Sequence, residues 1–271
     1  MILTRLAVVA GVAIVVSAAV GAATVLAGRR REPPDVEHRA ARRAAVLSGA
    51  VTLAVGAVVV WIHRGVQVGT GLASRDIPVA TWASEHTTDG LTSAMSWVTD
   101  LGSTLLVYVA VAIVAILAYR RTGEPRVVWY LATVTIGVTL VNNGLKLIFD
   151  RERPDILQLV EHAGSSFPSG HSATAAAGWA AIALVVGRSR SAPTWAVATG
   201  AAVLIALLVA TTRVLLGVHW LTDVATGLLV GWWWCAVVSI AYWSDVSAAN
   251  DEPLLHRADD RAATPEAVSP N

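Results

Sequence analysis

The sequence is short of cysteine, lysine and charge. The one cysteine, Cys235, lies inside an apolar run, which excludes a disulfide framework and a cysteine-based metal site. Charged residues make up 14% of the chain, whereas a soluble domain carries roughly 25%. The formal net charge is only +1, so no basic surplus points to a nucleic-acid partner. With 55% hydrophobic residues and a mean hydropathy of +0.60, the chain has the composition of a membrane protein.

Seven apolar runs predict an all-α, polytopic membrane helix bundle. A helix of about 20 apolar residues crosses a bilayer core of about 30 Å, and most of the runs approach that length. The runs are 6–27, 44–62, 101–119, 127–149, 171–187, 194–211 and 221–243. We predict a six-helix membrane core within residues 32–243, preceded by an extra N-terminal span in residues 1–31. The polar residues 244–271 are predicted to form a disordered cytoplasmic tail.

The first run resembles an anchor more than a secretory signal peptide. A signal peptide carries its positive charge before the apolar run, whereas here Arg5 stands alone before it and Arg29, Arg30 and Arg31 follow. We expect an uncleaved anchor with its N-terminus outside. Cleavage near Ala22 and Ala23 is the alternative.

Arginine positions predict which loops face the cytoplasm, because short cytoplasmic loops are enriched in basic residues. The loops marked in this way follow residues 28, 119 and 187, and contain Arg29 to Arg43, Arg120, Arg121, Arg126, Arg188 and Arg190. The loops 63–100, 150–170 and 212–220 then face the outside of a cell membrane. Arg151, Arg153 and Arg213 stand in these outer loops against the rule, which indicates a local task for them.

The first polar cluster on the outer side joins the only lysine to an Arg-Pro pair. Lys146 precedes Arg153 by seven residues, which places both on one face if the helix continues that far. Pro154 disfavours helix at Arg153. Taken alone, Lys146 could equally be a side chain that snorkels to the membrane interface.

The second cluster is Pro168-Ser169-Gly170-His171, directly before an apolar run. Ser169 is a good N-cap, and Gly170 allows a ligand to approach the backbone closely. The free N–H groups of a helix start form an anion site. Taken alone, the cluster is also compatible with an ordinary capped helix that carries an interfacial histidine.

The third cluster runs from Thr212 and Arg213 through His219 to Asp223. His219 and Asp223 are four residues apart and share a helix face. We expect His219 to act as a nucleophile, Asp223 to orient its ring and Arg213 to hold a phosphate. Interfacial anchoring and metal binding are the alternatives, and no second carboxylate or cysteine lies near in sequence to support a metal.

The predicted topology places all three clusters at one membrane surface. Together they supply three cations, a helix start and two histidines. Catalysis of phosphoryl transfer consists mostly of positioning and charge stabilisation. Guanidinium groups bind phosphate through paired N–H donors, and a neutral imidazole can attack phosphorus while a carboxylate fixes its tautomer. The second histidine can protonate the departing oxygen.

The three clusters resemble the signature motifs of the type 2 phosphatidic acid phosphatase superfamily, which also contains soluble vanadium haloperoxidases. The one departure is Thr212, where the family usually has serine. The resemblance implies a six-helix core with an outward site and no cofactor or metal. It implies that His219 forms a phosphohistidine, that Asp223 supports it and that His171 is the general acid. The phosphate-binding residues that it implies are Lys146, Arg153, Ser169, Gly170 and Arg213.

The resulting hypothesis is a lipid phosphatase that acts on a phosphomonoester or pyrophosphate at the outer leaflet. Its expected partners are membrane lipids and a lipid phosphate such as phosphatidic acid, phosphatidylglycerol phosphate or polyprenyl pyrophosphate. Family analogy favours the polyprenyl pyrophosphate slightly. A phosphotransferase with a lipid or sugar acceptor is the second hypothesis, and a non-enzymatic transporter of anionic lipids is the third. The sequence indicates no oligomeric state.

Overall fold

The computed structural model describes residues 34–156, 164–188 and 190–262, with side chains between residues 42 and 242 of those ranges. Within them every regular element is helical. The helices are α1 (Pro34–Val68), a 3-10 helix (Gly71–Arg75), α2 (Asp76–His86), α3 (Asp89–Asp100), α4 (Thr104–Thr122), α5 (Pro125–Ile148), α6 (Gly170–Gly187), α7 (Ala192–Leu215) and α8 (Leu221–Ala262).

Six of these helices are long and apolar enough to cross a membrane, which confirms the predicted core. The candidate spans are Arg42–Val68, Thr104–Thr122, Pro125–Ile148, Gly170–Gly187, Ala192–Leu215 and Leu221–Tyr242. The short run 171–187, which was too brief to assign alone, forms α6. The predicted N-terminal span at 6–27 lies outside the described residues.

Helix boundaries follow from residues that the sequence makes visible. Ser103 caps α4 by accepting a bond from the Leu106 N–H, and Gly123 ends that helix in the left-handed conformation with φ 69°. A proline stands in the first turn of α5 and again in that of α7, where a missing N–H costs nothing. The loops between the spans can therefore be short.

The helices α6 and α8 form the centre of the bundle. Their spans are 56% and 61% buried, against 33% or less for each of the other four. A Cβ added at Gly227 would lie 2.5 Å from the Ser169 carbonyl oxygen, and one at Gly231 would lie 2.4 Å from that of Ala173. These two glycines, four residues apart on α8, let its backbone lie directly on the start of α6.

The segment between α1 and α4 covers one end of the bundle. It contains two helices besides the 3-10 helix, α2 and α3. Met95 of α3 packs on Leu216 and Val218, which directly precede His219 in the chain. The side chains of Trp82 and Trp97 on these helices are 53% and 78% exposed.

Two helix ends bear on points that the sequence left open or assigned differently. The helix α5 ends at Ile148, and Phe149 leaves helical geometry with ψ 70°, so Lys146 and Arg153 do not share a helix face. The backbone of α8 stays helical to Ala262, where a disordered tail was predicted from residue 244. Once a helix exists, each further residue adds a hydrogen bond, and the alanines and leucines of this segment favour helix, although Pro253 disfavours it.

Candidate active site

Four helix ends bring the three predicted clusters to one end of the bundle. They are the C-terminal ends of α5 and α7 and the N-terminal ends of α6 and α8. The arginine-rich loops lie at the opposite end. At that end, burial lowers the pKa of the Arg188 guanidinium. The charge of Glu124 raises this pKa and the charge of Arg126 lowers it, so the loop after α4 and the loop after α6 lie close together. The polar site and the arginine-rich loops thus occupy opposite ends.

A tight turn after α7 carries the chain from Arg213 back to His219. Gly217 adopts φ 70°, which a side chain would disfavour. The N–H of Val218 donates to the Arg213 carbonyl at 3.2 Å, and the N–H of Gly217 donates to that of Val214 at 3.0 Å. This is a Schellman end. The Arg213 carbonyl also accepts the N–H of His219 at 3.2 Å, so the arginine and the histidine are held in a fixed relation.

The contacts of His219 define which ring nitrogen carries the proton. Its Nδ1 lies 3.4 Å from Oδ2 of Asp223, a long hydrogen bond of the kind that tightens when substrate binds. Its Nε2 lies 3.5 Å from Nη1 of Arg153, a group that can only donate. Both neighbours favour the tautomer with the proton on Nδ1. The Nε2 lone pair therefore points towards the arginine.

Burial makes His219 a neutral imidazole. The ring is 3% exposed, and burial lowers its pKa to about 4. The hydrogen bond and the charge of Asp223 oppose this effect, whereas the positive charges of Arg213 and Arg153 reinforce it. Since the pKa lies well below neutral pH, the ring keeps its lone pair under physiological conditions.

The three predicted cations lie at the same end of the bundle as this histidine, and Arg153 is the one beside its Nε2. Arg153 donates from Nη1 to the Val218 carbonyl at 2.8 Å, and burial lowers its pKa. Lys146 donates from Nζ to the Ser165 carbonyl at 2.9 Å. Arg213, only 3% exposed, donates from Nη1 to the Thr99 hydroxyl at 3.0 Å. The charge of Lys146 interacts with those of both arginines, so the three form one positive cluster.

The start of α6 lies against this cluster as predicted. The N–H of Ser169 donates to the Asp223 carbonyl at 3.0 Å, which ties the cap of α6 to the first turn of α8. The Ser169 hydroxyl accepts a bond from that of Ser172 at 3.0 Å. A Cβ at Gly170 would lie 3.4 Å from Nδ2 of Asn142, one turn before the lysine on α5. His171 follows in the first turn of α6.

Comparison with known proteins identifies this arrangement. A family model described as the PAP2 superfamily matches residues 126–246. The chain is 34% identical over 149 residues to phosphatidylglycerophosphatase B of Bacillus subtilis (strain 168), a match that covers 52% of this chain and 70% of that protein. The chain belongs to the PAP2 superfamily. The three-motif resemblance is thereby confirmed, and with it a membrane phosphatase.

A solved structure matches over a larger share of this chain, and a second relative matches over a smaller share. The crystal structure of a transmembrane PAP2-type phosphatidylglycerolphosphate phosphatase from Bacillus subtilis matches with a TM-score of 0.62 and 26% identity, over 69% of this chain and 93% of that one. A lipid A 1-phosphatase of Rhizobium etli is 35% identical over 123 residues, or 42% of this chain. That match spans only about half of the Rhizobium protein, 49%.

Sequence analysis missed four polar residues that are hydrogen-bonded to the predicted site residues or to one another beside them. They are Asp76, Thr99, Arg151 and Thr222. Arg151 donates from Nη1 to Oδ1 of Asp223 at 2.6 Å. The sequence signal for Arg151 as a site residue was its position in an outer loop, where basic residues are scarce. Asp76 and Thr99 precede the segment that the family model matches, and nothing local in the sequence marks them.

Thr212 does not present its hydroxyl to the cations. The hydroxyl donates to the Val209 carbonyl at 2.7 Å, within α7, and the residue is buried. A serine at this position could make the same bond. The departure from the family's usual serine therefore leaves the described cluster unaltered.

Proposed function

We propose that this chain hydrolyses a phosphomonoester or pyrophosphate of a membrane lipid at the outer leaflet, through a phosphohistidine on His219 and without a metal ion. The observation that carries the proposal is the arrangement around that ring. Asp223 lies at Nδ1, Arg153 lies at Nε2, and burial lowers the pKa to about 4. A neutral imidazole with its lone pair turned towards cations is suited to attack a bound phosphate.

In the first step, the Nε2 lone pair of His219 forms a bond to phosphorus. The bond between phosphorus and the leaving oxygen breaks, and protonated His171 gives that oxygen its proton. The proton on Nδ1 stays with the ring, and the carboxylate of Asp223 stabilises the positive charge that the ring acquires. The products of this step are the dephosphorylated lipid and the phosphohistidine.

In the second step, water attacks the phosphohistidine. His171, now neutral, takes a proton from the water as it attacks, and the bond between Nε2 and phosphorus breaks. Inorganic phosphate leaves, and both histidines return to their starting states. One pair of histidines therefore completes the cycle with no other proton donor.

The cations hold the charge that the transferring group carries on its three equatorial oxygens. Lys146, Arg153 and Arg213 each donate a hydrogen bond to an uncharged oxygen, which fixes the position of their positive groups beside the place proposed for the phosphate. The Ser169 hydroxyl acts as acceptor towards Ser172, so its own hydrogen can donate to a phosphate oxygen. The N–H groups at Gly170 and beyond add a helix start.

A lipid substrate suits a site at the end of a membrane bundle, because the tail can stay in the bilayer. The named relatives act on phosphatidylglycerophosphate and on the 1-phosphate of lipid A, by their names. The arginine-rich loops at the opposite end of the bundle support an outer position for the site, because basic residues are enriched in cytoplasmic loops. Phosphatidic acid, phosphatidylglycerol phosphate and polyprenyl pyrophosphate are the substrates to compare.

The activity test is phosphate release from these three lipids by purified protein in EDTA, with His219→Ala as the comparison. We expect release by the wild type and its loss in the variant. Equal release by both would contradict the mechanism. A phosphorylated acceptor in place of free phosphate would instead indicate a phosphotransferase.

The leaflet can be tested because the only native cysteine, Cys235, is buried. Asp89→Cys places a thiol at an exposed position of α3, and Arg121→Cys places one at the other end of the bundle. We expect a membrane-impermeant maleimide to label the first variant in intact cells and the second only after lysis. The reverse pattern would place the site on the cytoplasmic side.

A further inference from the structure

A second buried carboxylate lies behind the orienting aspartate of the site. Asp76, at the start of α2, is 3% exposed. Its Oδ2 accepts a bond from Nη2 of Arg151 at 2.8 Å. The same guanidinium donates from Nη1 to Oδ1 of Asp223 at 2.6 Å. One positive charge is thus shared between two buried carboxylates, and one of those carboxylates contacts His219.

Thr222 fixes the positions of Asp76 and Arg151 relative to each other. Its hydroxyl donates to Oδ2 of Asp76 at 2.6 Å and accepts a bond from Nη1 of Arg151 at 2.7 Å. Its backbone N–H donates to Oδ1 of Asp76 at 2.9 Å. The first turn of α8 is therefore attached to α2 by two bonds to one carboxylate. Because Asp223 follows Thr222 directly, these bonds also place the orienting carboxylate.

The bridge decides which oxygen of Asp223 faces the nucleophile. Oδ1 is occupied by Arg151, while Oδ2 accepts the Trp220 N–H at 3.0 Å and lies 3.4 Å from Nδ1 of His219. If Arg151 lost Asp76, both of its amino groups could turn to Asp223 as a bidentate pair. That pair would draw Oδ2 and its charge away from the imidazole.

We propose that Asp76 is a positioning residue for hydrolysis: it orients Arg151, which fixes Asp223 behind His219. The inference rests on the proposed function, because it concerns the support of the same nucleophile. Asp76 precedes residues 126–246, the segment matched by the family model, so the outer helix α2 becomes part of the catalytic support. Asp76 contacts no member of the cation cluster through the bonds described, so its effect is expected on the rate and not on substrate binding.

The test is a double-mutant cycle on phosphate release, with Asp76→Asn, Asp223→Asn and the double variant. We expect Asp76→Asn to lower kcat about tenfold at constant KM, which is a typical size for coupled neighbours. In the Asp223→Asn background the same change should have an effect below about twofold, because the carboxylate through which it acts is gone. Asp89→Asn, at an exposed position of the adjacent α3, is the matched control and should retain wild-type kcat.

Two results would overturn the proposal: an unchanged kcat in Asp76→Asn, or an equal loss in both backgrounds. If Asp76→Asn does not fold, Thr222→Val removes the hydroxyl that donates to Asp76 and accepts from Arg151, which loosens the bridge without changing any charge. Its kcat should fall at constant KM, and Thr222→Ser should restore it; no loss in Thr222→Val would refute the bridge. Wild-type activity in His219→Ala would refute the proposed function, whereas loss there with full activity in Asp76→Asn would refute only this inference.

Discussion

Replacing Gly227 by alanine should lower activity, because the added methyl group pushes apart the two central helices, α6 and α8, where they meet beside the site. The added Cβ would lie 2.5 Å from the Ser169 carbonyl oxygen and 3.0 Å from Cβ of Ser172. The first neighbour is backbone and cannot rotate away. Ordinary contact begins at 3.4 Å, so the helices must separate by about 0.9 Å, the difference between 3.4 and 2.5 Å.

That separation falls on the bond that ties the cap of α6 to α8. The Ser169 N–H donates to the Asp223 carbonyl at 3.0 Å, and an added 0.9 Å would bring the distance to roughly 3.9 Å, beyond hydrogen-bonding range. A misplacement of about 1 Å in a catalytic group can cost on the order of 100-fold in rate. Overpacking of this kind also costs about 1–3 kcal/mol of stability.

The assay is kcat/KM for phosphate release, normalised to folded protein, together with Tm in the same detergent. We expect Gly227→Ala to lose on the order of 100-fold in kcat/KM. Gly144→Ala on α5 is the matched control, because a Cβ there meets nothing within 4 Å. Full activity in Gly227→Ala would refute the close contact between α6 and α8 as a requirement of the site.

Three further predictions concern single groups. For the wild type, the acid-side fall in kcat/KM, corrected for substrate ionisation, should have its midpoint near pH 4, because His219 must be neutral and its pKa is lowered to about 4; an acid-side midpoint near the ordinary 6.5 would contradict this. Arg213→Lys keeps the charge but loses the planar guanidinium that donates to Thr99, and should raise the inhibition constant of inorganic phosphate about tenfold or more. An unchanged constant would remove Arg213 from phosphate binding. Thr212→Ser keeps the bond to the Val209 carbonyl and should leave phosphate release unaltered, so a large change would show that the methyl group matters.

The features that could be predicted from the sequence depend on neighbouring residues or on periodic patterns of residues. Apolar runs located six membrane helices, and the arginine distribution placed the polar clusters at one end. The pairing of His219 with Asp223 could be predicted from their four-residue spacing, but the predicted common helix face was wrong, because α8 begins at Leu221 and His219 precedes it. Ser169 could be identified as a cap because capping is decided by neighbouring residues.

The unpredictable part depends on contacts between distant segments. Asp76 meets Thr222 across 146 positions of the chain, and Thr99 meets Arg213 across 114. Neither residue carries a local pattern that separates it from an ordinary polar loop residue. The seven-residue spacing of Lys146 and Arg153 does not place them on one helix face, because α5 ends at Ile148 and Arg153 lies in an irregular segment, as Pro154 allowed.

The most direct test of the central claim is to trap the phosphorylated enzyme. Purified protein is mixed briefly with a lipid phosphate labelled on phosphorus, quenched in alkali and digested for mapping. We predict a label that is stable to alkali, labile to acid and located on His219, with none in His219→Ala. A label on another residue, or turnover by His219→Ala at the wild-type rate, would contradict the account.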